Sequence, residues 1–171
     1  MLIRATVTTR AVALGALVTY ALAIVQTTLG GRMAVYSVTP DLLLVWTVCL
    51  GLLAGPEAGA LTGFASGVLQ GSLGQSLTGP LGISKTISGF AAGLLSGRLF
   101  TENWMVPALC AVFLTVLNEL LLLLLCGFGG DHQLGRIVAA RVTYHALLAP
   151  PIYALTARGR RALGAARRSV V

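Results

Sequence analysis

Charge is what this sequence has least of. Only 10% of its 171 residues are charged and five of them are acidic, whereas roughly a quarter of an ordinary soluble domain carries charge. That shortfall excludes a typical water-soluble fold. Lysine occurs once, at Lys85. The three cysteines give neither a disulfide framework nor a metal-ligand spacing, because Cys49 and Cys110 sit inside apolar runs and Cys126 closes one. No serine or cysteine stands in a motif with a base, there are no paired carboxylates and no His-x-x-x-His, and the glycine runs lack the Lys-Ser/Thr of a phosphate loop. These absences argue against an enzyme and call for no metal and no cofactor.

What is present in quantity is apolar sequence. Hydrophobic residues make up 56% of the chain and the mean hydropathy is +0.88. The charge-free runs 11–31 and 58–84 each exceed the ~20 apolar residues that a helix needs to cross a bilayer. Dividing the chain at its polar and Gly/Pro breaks predicts six helices, at about 10–29, 40–54, 57–77, 80–98, 104–126 and 137–157. The length and continuity of the runs exclude strands. The expected fold is therefore all-α: a polytopic membrane protein of six transmembrane helices in one domain. Thr39-Pro40, Gly55-Pro56 and Gly79-Pro80 mark three helix starts, since proline lacks the N–H that the first turn leaves unpaired.

The net charge of +7 comes from twelve basic residues, five of them crowded between Arg158 and Arg168. A basic tail after the last apolar run reads as an orientation signal and a contact for anionic lipid, not as a nucleic-acid site. With six spans, Arg4, Arg10, Arg98 and the five tail arginines fall on one side, and Arg32 and Arg136 on the other. The bias puts both termini, including the tail 158–171, in the cytoplasm.

Two features of the spans point to packing and to chemistry. Gly59, Gly63, Gly67 and Gly71 follow Gly55 at a spacing of four, and Gly89, Gly93 and Gly97 repeat that spacing on the next span. Glycines four apart make a groove along one helix face, where another backbone approaches closely. The expectation is a tight hairpin, with any part of the face left over free for a partner helix. Polar groups inside a bilayer are costly and default to functional hypotheses. They are Gln26, Gln70, Lys85, Asn118, Glu119, Arg141 and His145, with Asp41 at a helix start. At ~1.5 Å of rise per residue, Gln70, Lys85, Glu119 and His145 all fall on the order of 7–12 Å below the outer surface. They form a polar layer able to line a pocket. Equal depth on consecutive helices predicts an ion pair between Lys85 and Glu119, with Arg141 as the alternative partner of Glu119. Asp41 and Glu57 read as complements to helix dipoles, and Asp41 also as an outer-end partner contact.

The order of features resembles a known family. Gln26-Thr27-Thr28-Leu29 ends the first span and Pro40-Asp41-Leu42-Leu43-Leu44 opens the second. Then come Gly59-x3-Gly63-Phe64-x2-Gly67-x2-Gln70, Asn118-Glu119 followed by Leu120 to Leu125, and Ala146-Leu147-Leu148-Ala149-Pro150 before the arginine tail. The collinear set, over nearly the whole chain, is similar to the rod shape-determining MreD family. The resemblance implies a non-enzymatic inner-membrane component of the cell-elongation machinery. Its implied partners are the bitopic scaffold MreC, cytoskeletal MreB, the glycosyltransferase RodA and its transpeptidase partner, and its implied role is support of peptidoglycan synthesis and cell shape. It also implies a bundle like the substrate-binding S component of energy-coupling-factor vitamin transporters, which is the rival function. Gln70 stands where many relatives carry an acid. Those transporters share an Ala-x3-Ala pattern on the first span, whereas this chain reads Ala11-x3-Gly15-x3-Thr19.

Overall fold

The structure is a computed structural model that describes residues 2–33, 39–74, 77–96, 105–127 and 134–168. Within them lie six helices and no strand: α1 (Leu2–Met33), α2 (Leu42–Ala54), α3 (Pro56–Leu73), α4 (Thr78–Leu94), α5 (Met105–Cys126) and α6 (Leu134–Arg168). Gly97, Arg98 and the polar loop with Asp131 and His132 lie outside the described residues.

The proline breaks work at slightly different registers than expected. Asp41, not Pro40, caps α2: its carboxylate accepts the Leu44 amide at 2.9 Å, and Leu42 begins the helix. Pro56 occupies the first turn of α3 and Glu57 follows it, where an acid meets the positive end of the helix. α4 starts two residues before Pro80, because any of the first four helical positions tolerates a missing N–H. Gly55 between α2 and α3 has φ 97° and Gly127 after α5 has φ 84°. Both are left-handed positions, where glycine avoids the clash of a Cβ. α6 runs on through Pro150 and Pro151 to Arg168, so the basic segment expected as a tail continues the helix.

α5 is the one described helix both long and apolar enough to cross a membrane by length and composition. α2 has only 13 residues, about 20 Å of rise, and it is enclosed: Leu42 to Cys49 are all buried. It packs against each of the other five helices. Its apolar side chains, including Leu44, Val45, Val48 and Leu52, form the core with Leu114 of α5 and Ala149 of α6.

α3 and α4 meet backbone to backbone. A Cβ at Gly59 would fall on the carbonyl of Gly89, at Gly63 on that of Lys85, at Gly67 on that of Leu81, and at Gly71 on Thr78. In the other direction, Gly89 would meet the Gly59 carbonyl and Gly93 would meet Pro56. α2 joins the same crossing, since a Cβ at Gly51 would lie 2.8 Å from the Gly89 carbonyl. The glycine face is thus filled by its own hairpin and α2. It leaves no room for the partner helix that the sequence spacing also allowed.

Candidate functional site

The site is built around the start of α2. Because α2 is short and central, Asp41 lies inside the bundle, 8% exposed, instead of at a surface. Lys85, on the third turn of α4, is completely buried and reaches the carboxylate with its Nζ 2.6 Å from Oδ1 and 2.5 Å from Oδ2. The predicted pair of Lys85 with Glu119 does not form. Matching depth said nothing about direction around the helix axis, and Asp41 was the nearer acid. Glu119 instead accepts from Arg141 Nη1 at 2.6 Å, the alternative left open by the sequence.

Two further helices close on the same cap. From α1, Gln26 accepts the Leu43 amide at 3.1 Å and donates to Asp41 Oδ1 at 3.4 Å. From α6, His145 Nε2 accepts the Asp41 backbone N–H at 2.9 Å. That bond fixes the tautomer: Nε2 is bare, so Nδ1 carries the proton and donates to Thr115 Oγ1 at 2.7 Å. Thr115 in turn donates to the Ala111 carbonyl at 2.6 Å. The imidazole and Lys85 are both fully buried, so neither is left to solvent and each has its hydrogen-bond partner in place. Asp41 therefore complements its helix as expected and, beyond that, ties α4 and α1 to it, while α6 holds its amide.

Thr115 was not singled out in the sequence. A threonine in an apolar helix is unremarkable alone, but it stands three and four residues before Asn118 and Glu119, which puts the three on adjoining faces. The remaining candidates divide. Gln70 lines a cavity with its Oε1 buried and without a partner, and Asn118 is buried with Oδ1 also unpaired.

That cavity, about 460 Å³ in volume, opens beside the cap. Gln26, Pro40 and Asp41 form one part of its wall, Gln70 and Leu81 of the α3–α4 hairpin another, and Glu119, Leu123, Ile137 and Arg141 of the α5–α6 hairpin the third. Four of the predicted polar residues and Asp41 thus share one cavity; Lys85 and His145 support it from below through Asp41. The arrangement has acceptors, one guanidinium and apolar walls, which suits binding.

Compared with protein families, residues 9–158 match the family described as rod shape-determining protein MreD. Comparison with curated proteins and with solved structures returns no match.

Proposed function

The chain belongs to the family of rod shape-determining MreD proteins, and on that premise we propose that it is a non-enzymatic, six-span component of the bacterial inner membrane that binds an MreC-like bitopic scaffold. In this role it supports peptidoglycan synthesis during cell elongation, in company with MreB, RodA and the transpeptidase partner of RodA. Both termini are cytoplasmic, and the arginines of α6 beyond Ala157 contact anionic lipid. The observation that carries the reading is the family match over nearly the whole chain.

The distribution of side chains supports a lipid surroundings for more than α5. Large apolar side chains point outward on α1, α3, α5 and α6, with Leu61 72%, Phe113 66% and Leu147 70% exposed. Among the described residues Lys85, His145, Asn118 and six Ser/Thr side chains are buried instead: Thr19, Thr47, Ser66, Ser84, Ser88 and Thr115. In water such a surface would drive aggregation, whereas in a bilayer it is the ordinary outcome, with polar groups turned to the bundle interior.

The test of function is purification of the chain from native membranes in mild detergent. Recovery of a bitopic coiled-coil protein, together with rounding of a rod-shaped host on depletion, is the expected result. Recovery of an ATPase with its coupling subunit would instead make the chain a transporter component. Topology is checked with single cysteines in a Cys-free background: positions 31 and 130 react with an impermeant thiol reagent from outside and position 102 does not. Labelling at 102 in intact cells would overturn the orientation.

A further inference from the structure

The cavity beside the α2 cap has a chemistry that the scaffold role leaves unused. Its charged groups are balanced: Asp41 is held by Lys85 and Glu119 by Arg141. A ligand with net negative charge would compete with Glu119 for the guanidinium and face the Asp41 carboxylate. A net cation would compete with Lys85 and Arg141 for the same two carboxylates. An occupant without net charge leaves both pairs intact.

Two polar atoms of the lining residues have no partner. Gln70 Oε1 is an acceptor and Arg141 Nε a donor, and both are buried without a hydrogen-bond partner. Buried polar atoms are nearly always paired. Both residues line the cavity, so a rotation of either side chain lets its unpaired atom meet a group held there. A ligand that satisfies both donates at one point and accepts at another. Apart from Gln26 and Thr39, the rest of the lining is largely apolar, with Leu81 of α4, Leu122 and Leu123 of α5 and Ile137 of α6. The volume of about 460 Å³ falls in the range of small-ligand sites, which pair apolar walls with a few placed polar groups.

We propose that this cavity binds the headgroup of an amphiphile that carries no net charge, with Gln70 accepting from it, Arg141 donating to it, and its first apolar segment lying between the α4 and α5–α6 walls. The shared chemistry has two sources, a zwitterionic phospholipid or a neutral hydroxyl-bearing acylglycerol. Binding is a property of the purified chain and is independent of the scaffold, so it can fail while co-purification of the scaffold stands.

The experiment delipidates the full chain in detergent and adds dioleoyl-phosphatidylethanolamine, dioleoylglycerol or dioleoyl-phosphatidylglycerol in turn, reading retained lipid by native mass spectrometry. The expected result is one retained molecule of phosphatidylethanolamine or of dioleoylglycerol, whichever is the source, and at least tenfold less retention of the anionic phosphatidylglycerol. Ile137→Trp fills the cavity while keeping the residues of both ion pairs and should abolish retention; should it fail to fold, Val138→Phe serves the same purpose. Gln70→Leu should cut retention about tenfold while raising the melting temperature of the empty protein, because it removes an unpaired buried acceptor. A side chain kept only for structure would not give that opposed pair of effects. Equal retention of all three lipids, retention unchanged by filling the cavity, or no retention with Ile137→Trp cutting off the scaffold instead would each overturn the proposal, the last assigning the cavity to a protein segment.

Discussion

The two hairpins of this bundle are held together by opposite means. α3 and α4 touch through backbone, with glycines where side chains would stand, and Lys85 meets α3 through its carbonyl while its side chain reaches Asp41 at the start of α2. α5 and α6 touch through side chains, with a half-buried Glu119–Arg141 pair near the end where the cavity opens. The difference teaches what each construction is good for. Backbone contact is tight and intolerant of any added atom, so it fixes geometry. Side-chain contact leaves spaces and polar groups, so it can hold something else.

Substitution should separate the two constructions, and the largest effect is expected in the first. Gly63→Leu places a branched side chain on the Lys85 carbonyl, and folded protein measured by fluorescence size-exclusion should fall at least tenfold. Gly82→Ala on the same hairpin should leave it unchanged, since a Cβ there finds only ordinary contacts, the nearest at 3.8 Å. A well-folded Gly63→Leu that no longer captures the scaffold would return the glycine face to the partner.

Next in size is the buried pair. Lys85→Met leaves Asp41 uncompensated and should destabilise by about 3–5 kcal/mol in a detergent unfolding titration. Adding Asp41→Asn, which keeps an acceptor for the Leu44 amide, should recover part of that loss, whereas adding Glu119→Gln should simply add its own. Coupling of Lys85 to Glu119 in such a cycle would contradict the geometry. Thr115→Val removes the acceptor of His145 Nδ1–H and should lower stability by about 1–3 kcal/mol, checked by the same titration. The smallest effect belongs to the second hairpin. Arg141→Gln breaks a pair whose side chains are 29% and 14% exposed and should cost about 1 kcal/mol or less. A loss as large as that of Lys85→Met would erase the contrast between the hairpins.

How much of this was legible in the sequence follows from what sequence spacing encodes. Helix number and order were, because apolar runs and proline breaks act locally; the predicted 104–126 and the observed Met105–Cys126 differ by one residue. The glycine hairpin was legible for the same reason, as a repeat of four is a face. Depth along a span was legible but direction around it was not, so Lys85 was assigned to an acid at equal depth instead of the one it faces. Asp41 was misplaced for a related reason. Counting from a membrane surface assumes that a helix begins there, whereas α2, at about 20 Å of rise, falls short of a ~30 Å hydrocarbon layer. Among the predicted layer, Gln26, Lys85 and His145 do converge, but on Asp41, and Gln70, Glu119 and Arg141 line the cavity next to it. The cavity itself had no sequence signal, since a void is a property of how whole helices diverge.

The Asp41 cap also bears on how the chain is made. Its carboxylate waits for a lysine 44 residues downstream and its amide for a histidine 104 residues downstream. During synthesis the helix that becomes the centre of the bundle is therefore made with its start unfinished, and it stays so until α6 arrives. A chain that stops before α6 presents an exposed amide and an open groove where His145 belongs. Completion is written into one residue, whose cap is finished only when α4 and α6 are both in place.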